Sequence, residues 1–76
     1  MKEVDAMTWE VKFPIKRSNG ARGVQWFLYN TTFRSDARDA ALRDVASADA
    51  VRHRGGAEVN CLAMEVRPWS AGSVSL

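Results

Sequence analysis

Between residues 8 and 16, apolar and polar side chains alternate: Trp9, Val11, Phe13 and Ile15 against Thr8, Glu10, Lys12, Pro14 and Lys16. Successive side chains of a strand point to opposite faces, so this period of two specifies one buried and one wet side. A chain built on such a strand must find a layer to lie against the buried side. Pro14 falls on the wet side and has no amide hydrogen, so the ladder is expected to be unpaired or bulged near it.

Residues 17–23 (Arg-Ser-Asn-Gly-Ala-Arg-Gly) read as a hairpin loop longer than the tightest type. The returning strand covers 24–33. Val24, Trp26 and Leu28 are expected to continue the buried face, with Gln25, Phe27, Tyr29 and Thr31 pointing the other way. Ser35 then offers an N-cap, with Asp36 and Asp39 in the first turn and Asp39 four residues before Arg43. Ala37, Ala41, Val45 and Ala48, with Leu42 beside them, form an apolar stripe made mostly of alanine, suited to close approach to a sheet bearing Trp and Phe. Gly55-Gly56 stops the helix, unless 46–50 breaks it earlier and starts a second short turn. Residues 58–67 read as the last strand, with both faces partly apolar; Pro68 ends it, Trp69 folds back as a lid, and 70–76 form a flexible tail.

The expected fold class is α+β, in the order β-β-α-β. A three-stranded antiparallel sheet with spatial order 2-1-3 carries one helix packed on one face. The other face, bearing Phe27, Tyr29, Cys61 and Ala63, has nothing in the sequence to cover it, and a two-layer domain must bury both apolar faces. A second copy or another protein is the natural supplier of the missing layer.

Length sharpens that argument. Seventy-six residues make one domain, here 1–69, and chains this short bury only about 60% of their unfolded surface, so they often need a staple. With Cys61 the only cysteine and His53 the only histidine, an internal disulfide is impossible and a zinc site of the usual type lacks two ligands. Self-association remains. No apolar run reaches the roughly 20 residues of a membrane span. Met1 to Ala6 is charged and lacks the apolar centre of a secretion signal. The expectation is a cytoplasmic protein.

Chemistry has few candidates. Cys61 sits in an apolar run, where a thiol packs as a small hydrophobe. His53 is flanked by Arg52 and Arg54, which disfavour its charged form. Asp36, Asp39, Asp44 and Asp49 decorate a charged helix without converging. Gly20-Ala21-Arg22-Gly23 lacks the lysine and strand-to-helix setting of a phosphate loop. The expectation is no catalysis, no cofactor, no metal and no small-molecule substrate.

Two binding modes follow. Phe27, Tyr29 and Trp69 lack an internal burial site and read as interface anchors, with Arg52 and Arg54 as rim charges; the partners are a second copy and a host protein. The alternative is DNA binding by the hairpin at 12–23, through Lys12, Lys16, Arg17 and Arg22. The net charge of +2, from 11 basic and 9 acidic residues, decides little between them.

The first half resembles the arm-binding module of phage integrases. There a Trp-bearing strand, a basic turn, a strand ending in Thr-Phe and an Ala-rich helix follow one another, as do Trp9, the 17–23 loop, Thr32-Phe33 and the helix from Asp36 to Val45. That module ends with its helix, whereas this chain adds a third strand. In general texture, short and rich in Arg, Asp and Ala with a small-residue tail, the chain is similar to small gene products of actinobacterial phages. That similarity implies a protein acting on host machinery or regulating phage genes.

Overall fold

In the computed structural model residues 7–69 are described; the tail expected at 70–76 lies outside them. Strands β1 (Met7–Lys16) and β2 (Arg22–Thr31) form an antiparallel hairpin paired along its whole length. Helices α1 (Arg34–Val45) and α2 (Ala48–His53) follow, then β3 (Glu58–Val59), a 3-10 turn at Cys61–Ala63, and β4 (Glu65–Pro68). Both β3 and β4 pair antiparallel with β1, on the edge opposite β2. The fold is α+β, an antiparallel sheet with one main helix packed on it and β1 at its centre.

The expected third strand is thus interrupted, for a reason that Pro14 supplies. Ile15 pairs with Val59, but Val11 pairs with Val66, so the last strand carries extra residues that β1 does not match. The Pro14 carbonyl accepts from the Asn60 amide at 2.9 Å, which shows that its missing N–H would also point to this edge. With no donor there, the partner strand leaves the ladder, winds through Cys61–Ala63 and rejoins at Glu65. The Asn60 side chain accepts from the Leu62 amide and caps that turn.

Odd-numbered residues of β1 face the helix: Val11 and Phe13 are fully buried and Ile15 nearly so. Val11 and Phe13 meet Ala37, Ala41 and Val45, the alanine-rich stripe of α1. Small side chains let the helix axis come close, and Phe13 fills the space they leave. Phe27 meets Phe13 edge-on, with ring centres 5.9 Å apart.

The phase of β2 is the reverse of the expectation. Cross-strand partners share a face, and Val11 stands opposite Phe27, Phe13 opposite Gln25 and Trp9 opposite Tyr29. The loop at 17–21 holds an odd number of residues, so odd positions pair with odd ones. Gln25, Phe27 and Tyr29 therefore go under the helices, and Val24, Trp26 and Leu28 go to the open face. A loop one residue shorter or longer would have exchanged the two sets.

The helical segment differs in detail as well. Phe33, not Ser35, occupies the N-cap of α1 and gives no side-chain cap. Asp39 pairs with Arg38, and Arg43 leans to Asp44, instead of the expected Asp39–Arg43 pair. The break within 46–50 is real: α1 ends at Val45, and the Ser47 hydroxyl accepts from the Ala50 amide to start α2. Gly55 and Gly56, both at positive φ, close α2 with bonds from their amides to the Arg52 and Val51 carbonyls, each 3.0 Å.

Ala41→Leu is expected to lower stability by about 1–3 kcal/mol in urea unfolding, because β1 leaves no room for a larger side chain. Ala48→Leu, at an exposed position, should shift it by no more than about 0.5 kcal/mol.

Candidate functional site

On the open face, β1 contributes Glu10, Lys12, Pro14 and Lys16, and β2 contributes Val24, Trp26 and Leu28 directly beside Pro14, Lys12 and Glu10. The charged row has local partners. Glu10 is largely covered and lies 3.6 Å from Arg67, its cross-strand neighbour on β4. Lys12 stands opposite Glu65, and Lys16 opposite Glu58. The β2 row has none: Val24, Trp26 and Leu28 expose 52%, 59% and 51% of their surface. An uninterrupted row of three large apolar side chains left half in water is the feature that folding does not explain.

The same strand is an edge. Thr8 and Pro14 of β1 accept from Trp69 and Asn60 on the β4 and β3 side. In an antiparallel ladder the bonding direction alternates, so even positions of β1 serve that side and odd positions serve β2. By the same alternation, odd positions of β2 bond β1. The amides and carbonyls of Val24, Trp26, Leu28 and Asn30 point outward, and among the described residues no strand pairs with them. A cleft of about 580 Å³ opens beside this edge, bounded by Val24 and Trp26 below and by Asp44, Asp49 and His53 above.

Beneath the cleft lies a buried polar knot. Arg54, only 8% exposed, donates to Gln25 Oε1 at 2.9 Å, to the Val45 carbonyl at 2.8 Å and to the Ala57 carbonyl at 2.9 Å. Gln25 in turn donates to the Ala50 carbonyl at 3.0 Å. One guanidinium thereby joins the C-terminal end of α1, the end of α2, the central part of β2 and the approach to β3. Its charge is shared among carbonyl dipoles, so this cation is structural.

These placements revise the expected interface. Phe27 and Tyr29 are half-buried under α1, 6.3 Å apart, and do not belong to the open face. Arg54 is part of the interior, not a rim charge. Arg52 is exposed and pairs with Asp49. Trp69 is partly exposed, and its amide bonds the Thr8 carbonyl, which gives it a register position on the open side of the sheet. Trp9, expected in the core, is half-buried, with its indole N–H donating to the Thr31 carbonyl at 3.1 Å. Cys61 lies in the 3-10 turn and not in a strand. Of the hairpin cations, Lys16, Arg17 and Arg22 are exposed, and Lys16 and Arg22 face each other across the ladder. Arg17 turns back to the Arg54 carbonyl at 3.2 Å. Among the described residues no group of three or more His, Cys, Asp and Glu side chains could hold a metal ion. None of the described helices is long and apolar enough to cross a membrane.

Sequence reasoning missed Trp26, Val24 and Leu28 as surface residues. Hydropathy carried no signal for them: both residue sets of β2 hold large apolar side chains, and Gln25, polar and therefore assigned to solvent, is recruited inward by the knot.

Compared with known proteins, the chain matches no family model, no curated protein and no solved structure.

Tyr29 donates to Asp44 Oδ2 at 2.7 Å. Burial pushes its phenol above the ordinary value of 10.0; the hydrogen bond to Asp44 and that carboxylate's charge act the same way, against a smaller pull from Arg43. The folded state therefore favours the neutral phenol. Its contribution to stability is complete below about pH 10, where the unfolded phenol begins to ionise, and is lost as pH rises further. Tyr29 is the only tyrosine, so phenolate absorbance reports on it alone. Its titration in the native protein should lie above that in urea, and Tyr29→Phe should cost about 1 kcal/mol at neutral pH while flattening the alkaline loss of stability. Arg54→Met should cost about 3 kcal/mol in urea unfolding, since it strips the Val45 and Ala57 carbonyls and Gln25 of their donor.

Proposed function

We propose that this chain is a non-catalytic protein-interaction module that docks through the β2 row Val24, Trp26 and Leu28. The exposed row on a strand whose outer edge is unpaired among the described residues is the observation that carries this reading. Tryptophan at the centre of such a row supplies large contact area with few rotatable bonds, and unpaired backbone beside it supplies directional hydrogen bonds. The partners that fit are polypeptides: a second copy of the chain, or a host protein if the phage-like texture reflects its origin.

A second reading, DNA binding by the hairpin, rests on the facing pair Lys16 and Arg22 at its exposed end. Glu58 and Glu65 stand opposite Lys16 and Lys12 on the same face and offset part of that charge, so the apolar row is favoured.

Affinity capture from nuclease-treated lysate, with a differently tagged second copy of the chain added, tests the choice. Stoichiometric polypeptide should be retained by the unaltered chain and by Arg17→Ala/Arg22→Ala, and lost from folded Trp26→Arg. Retention by Trp26→Arg excludes the row. Retention of duplex DNA by the unaltered chain from lysate left without nuclease, lost with the two arginines, moves the assignment to the hairpin.

A further inference from the structure

We infer that two copies of this chain join β2 to β2, antiparallel and centred on Trp26, into one continuous sheet. The inference rests on the reading of the β2 row as the docking surface, and it names the occupant and its register.

Two ways of covering the row compete, and charge decides between them. Stacking one open face on another would carry the middle row, Glu10, Lys12 and Lys16, into the contact. Desolvating such ions costs several kcal/mol each. The contiguous apolar row lies on β2, at one side of the sheet, with Trp69 set apart from it beyond the far side of β1. Pairing at the edge covers that row and leaves the charged row of β1 in water.

The edge is also open to a strand. Natural edge strands are guarded by proline, by inward charges, by bulges or by a covering helix. β2 is 10 residues long, contains no proline and no lysine, and pairs with β1 without a bulge. Arg22 is its only charge, at one end. The helices leave a cleft along it instead of closing over it.

Register follows from the side chains. With Trp26 opposite its own copy, Val24 meets Leu28 and Arg22 meets Asn30, so every exposed apolar residue of the row has an apolar partner. Sliding one strand by two residues in either direction sets Leu28 against Arg22 or Val24 against Asn30. The centred register uses only outward-pointing even positions, as hydrogen-bonded antiparallel pairs require. It is also compatible with a twofold axis, the commonest symmetry of small assemblies.

Sedimentation of the unaltered chain over a wide concentration range should show reversible dimers, and Trp26→Arg should weaken them by roughly thirty-fold or more, as loss of a central anchor does. In a Cys61→Ser background, Val24→Cys and Leu28→Cys should cross-link with each other when mixed under oxidising conditions, because paired Cα atoms about 5.5 Å apart suit a disulfide. Each alone should cross-link far less. Thermal unfolding establishes that every variant is folded, and the unaltered chain itself serves if one is not. A monomer at all concentrations, a dimer indifferent to Trp26→Arg, or equal cross-linking by single variants and mixture would overturn the inference. A monomer whose capture of another protein still depends on Trp26 would overturn self-pairing alone and leave the docking surface standing.

Discussion

Every other part of this fold depends on the contact between β1 and the alanine stripe of α1. Val11 and Phe13 are fully buried only because Ala37 and Ala41 let the helix approach closely. One helix of 12 residues can cover one face of a sheet and no more. The chain therefore builds a single two-layer core, and the remaining face must be made fit for water or given to a partner. Nature has done the first on β1, where Glu10, Lys12 and Lys16 face carboxylate or guanidinium neighbours, and not on β2.

A core this thin leaves the helix ends and the loop before β3 loosely held by apolar contact. The Arg54 knot compensates. The last turn of a helix leaves carbonyls without amide partners, and a guanidinium with several donors is well suited to take one from each of several segments. Here it takes Val45 from α1 and Ala57 from the loop, with Gln25 from β2 orienting both. The same demand for Gln25 reinforces the phase of β2. If that strand turned over, Arg54 would lose Gln25 as an acceptor and Trp26 would have to fit where the two helices approach the sheet.

Much of the fold was legible in sequence because it rests on local pattern. The alternation in β1 and the alanine stripe in α1 define their faces without any long-range information, and the spatial order 2-1-3 follows from a hairpin and a crossover. The split of the last strand was half legible: Pro14 announced a defect in the ladder but not that its partner would carry the bulge. What could not be read was parity. Both residue sets of β2 contain large apolar side chains, so hydropathy does not choose between them; the length of the 17–21 loop and the long-range bonds of Gln25 do. Phe27 and Tyr29 left the expected interface for that one reason, while the inference that an apolar surface would be left over came from counting layers and survives the change of residues. Arg54 was equally hidden, since only tertiary structure brings two backbone carbonyls and a side-chain amide to one cation.

Amide hydrogen exchange resolved by residue, at low and at high protein concentration, tests the central claim that β2 is a paired strand on one side and a free edge on the other. Phe27 and Tyr29 should be protected at both concentrations. Val24, Trp26 and Leu28 should exchange rapidly in dilute protein and gain protection as concentration rises. Protection of those three in dilute, monomeric protein, or rapid exchange that concentration never slows, would contradict the account.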